Sequence, residues 1–169
     1  MITVDPPSTV PALALTKSSL TRFLNRARTS VGITGEVDVL LTSDAEIKTL
    51  NRTFRHKNKA TDVLSFPAAE EVFDEHAGDL AISLETAARQ AENFGHSLSD
   101  EVRVLMLHGL LHLSGMDHET DNGEMAAREA ELRVKLKLPA TLIERVNRPL
   151  KSTKTKSVPK TKSVRGRRA

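Results

Sequence analysis

Residues 102–113 include Val102, Val104, Leu105, Met106, Leu107, Leu110, Leu111 and Leu113, apolar on nearly every side of a helix, and two histidines stand inside that run. A helix apolar all round belongs in the middle of a domain, so His108 and His112 are expected to be buried there. Four residues apart, they lie one above the other on one helix face, about 5–6 Å apart at Cβ. Gly115 then allows the helix to stop in a left-handed turn, and the chain can double back to bring His118 to the same point. A lone histidine on an apolar helix reads as a satisfied core residue. Three within eleven residues, in a chain with six histidines altogether, read as ligands of one divalent ion, which also removes the cost of burying imidazoles without partners. Three nitrogens leave a coordination position open, the arrangement of a catalytic zinc site rather than a closed structural one.

The 169 residues suit one domain with a core of its own, followed by a tail. With no cysteine, neither a disulfide framework nor a thiolate zinc finger is possible. The N-terminus has no basic segment leading into an apolar one, and the longest uncharged apolar stretch, Val104 to Met116, is well short of the ~20 residues that span a bilayer. A cytoplasmic protein without membrane contact is expected.

The net charge of +3 hides an asymmetry: residues 150–169 hold eight basic side chains and no acidic one, whereas residues 1–149 hold 17 basic and 22 acidic. Residues 1–149 therefore read as the folded body. Residues 150–169, rich in Lys, Ser, Thr and Pro, read as a disordered basic tail, either a solubilising terminus or an electrostatic arm for nucleic acid.

Leu15 to Val31 has helical periodicity and stops at Gly32, while Glu36 to Thr42 alternates as a strand does. Ser43 with Glu46 forms a capping-box pattern that opens a helix through Ile47, Leu50 and Phe54. Val63 to Phe66 and Gly78 to Ser83 read as neighbouring strands joined by an acidic segment. Helices are expected over Glu85 to Phe94, from a cap at Ser99 through the histidines, and from Gly123 to Leu138, with a further turn or two at 140–146. This order gives a single α+β domain: a small sheet with helices packed on it, one of them a zincin-like metal-binding helix.

A zinc peptidase of the H-E-x-x-H type carries its glutamate base right after the first histidine, where this chain has Gly109. A site of three neutral imidazoles leaves the ion its full charge and favours an anionic substrate such as a phosphodiester. His108 to His118 resembles the H-G-x-L-H-L-x-G-[aromatic]-D-H signature of the YbeY family of metal-dependent endoribonucleases. Leu50 to Arg55 with Thr61 to Pro67 is similar to that family's second signature, and Gly78 to Ser83 to its third, so the likeness spans about Leu40 to Leu136. Met116 stands where an aromatic residue is usual, and Ala60 where a proline is.

The resemblance implies a mostly parallel mixed sheet, zinc ligands at His108, His112 and His118, and Arg55 as the essential basic residue near the metal. It also implies cleavage of single-stranded RNA in ribosomal RNA processing, at the 3′ end of 16S rRNA, in ribosome quality control, and in company with the small ribosomal subunit and its assembly factors. A guanidinium at position 55 can hold a phosphate bidentately and stabilise charge developing on its oxygens. Standing alone, Arg55 would read as an arginine in a solvated loop. Tyr and Trp are absent, so RNA is expected to be held through its phosphates, with Arg22, Arg26, Lys57 and Lys59 as the candidates, and Lys17 and Arg28 behind them. His56 is a possible proton donor, whereas His76 and His96 read as merely exposed. Asp62 and Asp79 read as structural, Asp79 in a strand-edge network, and Asp117 as either a partner of a ligand imidazole or a local turn bond. A zinc-containing ribosome-assembly factor that only binds, and a metallopeptidase whose base is elsewhere, are the competing readings.

Overall fold

Val37, Val39 and Leu41 alternate with Asp38 and Leu40 along β2 (Glu36–Thr42), which sends the first set to one face of a sheet and the second to the other. The computed structural model describes residues 1–11 and 15–139. Its sheet has the order β1-β2-β4-β3, where β1 is Ile2–Val4, β3 Val63–Pro67 and β4 His76–Ser83. The β1–β2 and β2–β4 pairs are parallel and β3–β4 is antiparallel, the mostly parallel mixed sheet that was expected.

Five helices cover it: α1 Lys17–Val31, α2 Asp44–Arg55, α3 Leu84–Phe94, α4 Leu98–Leu113 and α5 Glu124–Leu136. The larger core lies on the face toward α1 and α4, where Val39, Leu41, Leu80 and Ile82 meet Leu20, Leu24, Leu105 and Leu110. A smaller cluster of Ile47, Leu64 and Ala81, flanked by Phe66, sits on the opposite face under α2. The histidine helix α4 is the central element. Val102, Val104 to Leu107, Leu110 and Leu111 are all buried, as a helix apolar all round requires.

Several boundaries differ from the sequence reading. Strand β1 was not anticipated; it is three residues long and exists by pairing with Val39 to Leu41. α1 starts two residues later than Leu15, after Thr16. The cap of α4 is Ser97 rather than Ser99: the Ser97 hydroxyl accepts the Asp100 N–H at 3.0 Å, and Ser99 lies within the first turn. α5 ends at Leu136 because Lys137 turns left-handed at φ 58°, before Pro139 can act. Residues 140–146 and the basic tail at 150–169 lie outside the described residues.

Asp44 ties three elements together. Its carboxylate accepts hydrogen bonds from the hydroxyls of Ser83, at the end of β4, and of Thr86 in α3, and pairs with Arg89 at 2.9 Å. Burial raises the Asp44 pKa, but these hydrogen bonds and the Arg89 charge outweigh it, and the carboxyl is held below its ordinary value of 3.8. The stabilisation from the charged form is therefore present above that value and is lost as pH falls through the lower, folded one. Asp44→Asn should lower stability by about 1–2 kcal/mol at neutral pH. The gap between its urea midpoint and that of wild type should close as the pH is taken below the ordinary carboxylate value.

Candidate metal centre

The C-terminus of α4 shows how the third histidine is aimed. The Gly115 N–H donates to the His112 carbonyl at 3.0 Å and the Met116 N–H to the Leu111 carbonyl at 3.1 Å, with Gly115 at φ 93°. This is the paired bonding of a Schellman stop, in which a left-handed glycine reverses the chain. Met116 packs against the core behind the turn, as the aliphatic contact of such a stop does. The expectation at Gly115 holds, and His118 is returned to the face of His108 and His112.

One nitrogen from each of His108, His112 and His118 lies within 4.8 Å of the others. The three rings stand 4.8–5.4 Å apart between centroids. The Nε2 atoms of His108 and His112 face each other at 3.1 Å. Two nitrogens each 2.0–2.1 Å from a tetrahedral ion would be separated by about 3.3 Å, so this pair is already close to the spacing that shared coordination needs. Burial is graded: His108 is 6% exposed, His112 half-buried and His118 exposed. The group therefore opens on the His118 side. Burial and the neighbouring His108 and His118 hold the His112 pKa below its ordinary value of 6.5, in spite of Asp117 and a Met116 backbone hydrogen bond that raise it. The neutral imidazole is the form that ligates a metal.

A residue that the sequence reading missed completes the group. Glu129 of α5 is fully buried, and His108 Nδ1–H donates to its Oε1 at 3.1 Å. That bond fixes the tautomer: with the proton on Nδ1, His108 presents the Nε2 lone pair to the other two rings. The available signal is that Glu129 sits between Met125, Leu132 and Leu136 on the buried stripe of α5, where an acid has no business without a partner. Glu129→Gln should fold and weaken binding of a divalent metal at the three histidines by about 10–100-fold. Competition with a chromophoric chelator measures this directly, and an unchanged affinity would show the carboxylate to be a core contact only.

Asp117, weighed between two roles, makes the local one: Oδ1 accepts the Glu119 N–H at 3.0 Å and Oδ2 the Thr120 hydroxyl at 3.2 Å. The Glu119 N–H is the main reason that its carboxyl is held below the ordinary 3.8; Thr120 and the adjacent His112 and His118 also favour the charged form. Packing explains why the H-E-x-x-H glutamate has no place at Gly109. A Cβ there would lie 2.8 Å from the Leu80 side chain and 3.3 Å from that of Val63, so a glutamate at this position would be driven into the sheet. Ser65 Oγ reaches the Gly109 carbonyl at 3.2 Å and fixes the same approach.

Arg55 is the last residue of α2, exposed, and among the described residues it makes no hydrogen bond or ion pair. Its neighbour Phe54 meets Phe66 of the edge strand β3 edge-on, with centroids 5.6 Å apart, while Ser65 of the same strand touches α4. The end of α2 and the histidine helix thus flank one edge strand, with no direct contact between Arg55 and the histidines. His56 closes α2 in a left-handed turn, and Lys57 and Lys59 follow it, all exposed. Arg22 and Arg26 are exposed on α1, apart from this loop.

Two other expectations need correction. His96 is not exposed: only 11% of its side chain is accessible, because it closes onto the fully buried Glu101 through a hydrogen bond from its ring. His76 is half-exposed against Asp79, and both lie on β4, which is an interior strand of the sheet and not its edge. Asp38 joins that pair, but one of its oxygens already accepts the N-terminal ammonium at 2.6 Å. Asp62 is structural as expected, accepting the Val63 N–H at 2.8 Å.

Comparison with known proteins gives a consistent result. A curated relative named endoribonuclease YbeY from Koribacter versatilis is 56% identical over 137 residues, covering 81% of this chain and 88% of its own. Another of that name from Solibacter usitatus is 50% identical over 132 residues, covering 78% and 87%. The solution structure of TM1509 from Thermotoga maritima matches with a TM-score of 0.54 and 28% identity, over 80% of this chain and 89% of that one. The family profile described as endoribonuclease YbeY matches residues 9–137, from before α1 to just past α5, taking in all three histidines and Glu129. The chain belongs to the endoribonuclease YbeY family.

Proposed function

We propose that this protein is a zinc-dependent endoribonuclease that cleaves single-stranded RNA. The observation that carries the reading is the convergence of His108, His112 and His118 on one point with burial graded from closed to open. Three neutral nitrogens suit a borderline divalent ion, and the exposed side at His118 leaves room for a ligand that is not protein. The relatives' name, endoribonuclease, supplies the substrate class. Within that reading the substrate is ribosomal RNA and the step is maturation of the 3′ end of 16S rRNA. It takes place in the cytoplasm and beside the small ribosomal subunit, with a role in ribosome quality control. No described helix is long and apolar enough to cross a membrane.

The residues divide the work. Glu129 orients His108, and Gly115 and Met116 hold the loop that carries His118. Zinc, held by the three imidazoles, would supply either a Lewis acid for a phosphoryl oxygen or a water of lowered pKa. Arg55, in no ion pair among the described residues, is placed to grip the scissile phosphate bidentately. Lys57 and Lys59 extend that positive charge along the loop.

Metal removal tests the reading. Wild type stripped with a chelator should stop cutting a labelled single-stranded RNA and should recover with about one equivalent of zinc per chain. Stripped protein that cuts as fast as the reconstituted one would overturn the metal requirement. Zinc-loaded protein that binds RNA without cutting it would favour a binding factor of ribosome assembly.

A further inference from the structure

Helix α1 contains four basic residues, Lys17, Arg22, Arg26 and Arg28, and no acidic one, in a body whose balance is acidic. Arg28 is spent within the fold, on the Gly35 carbonyl at 2.6 Å and on Glu36. Arg22 and Arg26 are not. Both are exposed and, among the described residues, neither makes a hydrogen bond or an ion pair. The C-terminal end of α5 faces them and brings Lys135 and Lys137, which are likewise exposed and unpaired among the described residues.

Between the two helices run two cavities. One of about 420 Å³ is lined by Asn25, Arg26, Thr29 and Lys135, among others, and one of about 260 Å³ by Arg22, Arg26, Arg103 and Lys137. Arg26 and Leu136 line both, so they form one groove along α1. Its floor is firm: Arg103 is fixed by Ser19 at 2.8 Å and Asp100 at 3.2 Å and lies over the Phe23 ring. Four cations along one groove, none in an ion pair among the described residues, repel one another, and an anion laid along the groove relieves it.

We infer that the α1–α5 groove is a second RNA-backbone site, remote from the cleavage centre, in which Arg22, Arg26, Lys135 and Lys137 hold phosphates of the substrate strand. This rests on the endoribonuclease reading for the identity of the anion. The geometry links the two places through α5. Glu129, which orients His108, lies six residues before Lys135, about 9 Å along the same helix axis. The same helix thus carries Glu129 to His108 and Lys135 to the groove. The absence of Tyr and Trp agrees with a site that grips phosphates and does not stack bases.

The test is the salt dependence of binding of a fluorescent single-stranded oligonucleotide RNA to the full-length, zinc-loaded chain. For Arg22→Ala/Arg26→Ala/Lys135→Ala/Lys137→Ala, the slope of log K against log salt should become shallower by about 3, at ~0.7 per lost phosphate contact. Affinity at moderate salt should fall at least ten-fold, with zinc content unchanged. Arg26→Glu should weaken binding several-fold more than Lys48→Glu, which removes the same charge from an exposed position on α2. Unchanged slope and affinity in the quadruple variant would overturn the inference, as would equal losses for Arg26→Glu and Lys48→Glu. Because the readout is binding, a wild type that holds RNA but never cuts it would overturn the nuclease reading and leave the groove to be judged on its slope.

Discussion

His112→Ala should purify as a folded protein that holds no zinc and cuts no RNA. The position is the middle one of the three: its ring faces His108 Nε2 to Nε2 at 3.1 Å and stands 5.4 Å from that of His118. Removing it leaves two imidazoles, one buried and one exposed, and the loss of affinity should exceed the ~10–100-fold expected for an outer-shell partner such as Glu129. The fold should survive, because His112 is only half-buried and alanine is the better helix former, so the helix gains a few tenths of a kcal/mol that offset part of the lost packing. Metal content by mass spectrometry of the native protein, read beside circular dichroism, separates loss of the ion from loss of the fold. A variant that keeps one zinc per chain would show that His112 is not a required ligand.

The three histidines were legible because their placement is local. A four-residue spacing on a helix and a glycine able to stop it are properties of eleven consecutive residues, and the Schellman bonds at Gly115 and Met116 follow from them. Glu129 was not legible as a partner because it reaches His108 across 21 positions and from another helix, and only the packing of α5 on α4 decides which histidine it meets. β1 was invisible for a similar reason: three residues have no period to read, and their strand exists only by parallel pairing with β2 more than thirty positions on. His96 was misjudged because its partner, Glu101, lies in the first turn of an apolar helix, where an acid is ordinarily explained by the helix dipole and solvent. Three strands were readable, β2 from alternation and β3 and β4 as short apolar runs. The edges of the sheet were not, so Asp79 was set at an edge when β4 runs through the middle.

Arg55→Glu separates the holding of metal from the handling of phosphate. Among the described residues Arg55 makes no hydrogen bond or ion pair, to a histidine or otherwise, so zinc content should stay at about one per chain, and the main structural cost is a reversed charge at the end of α2, about 0.3–1 kcal/mol against the helix dipole. Cleavage should nonetheless fall by about 10²–10³-fold in kcat, the loss seen when one preorganised donor to a developing negative charge is removed. Arg55→Lys tells charge from geometry: a lysine restores the positive charge without the fork that grips two oxygens, so partial recovery assigns bidentate contact and full recovery assigns field alone. Phe54 packed on Phe66 holds this end of α2 against β3 whichever residue follows it, so a difference between the two variants reflects the side chain at 55 and not a displaced helix. Wild-type cleavage by Arg55→Glu would move the phosphate contact to Lys57 and Lys59 on the same exposed loop, where Lys57→Ala/Lys59→Ala should then show the loss instead.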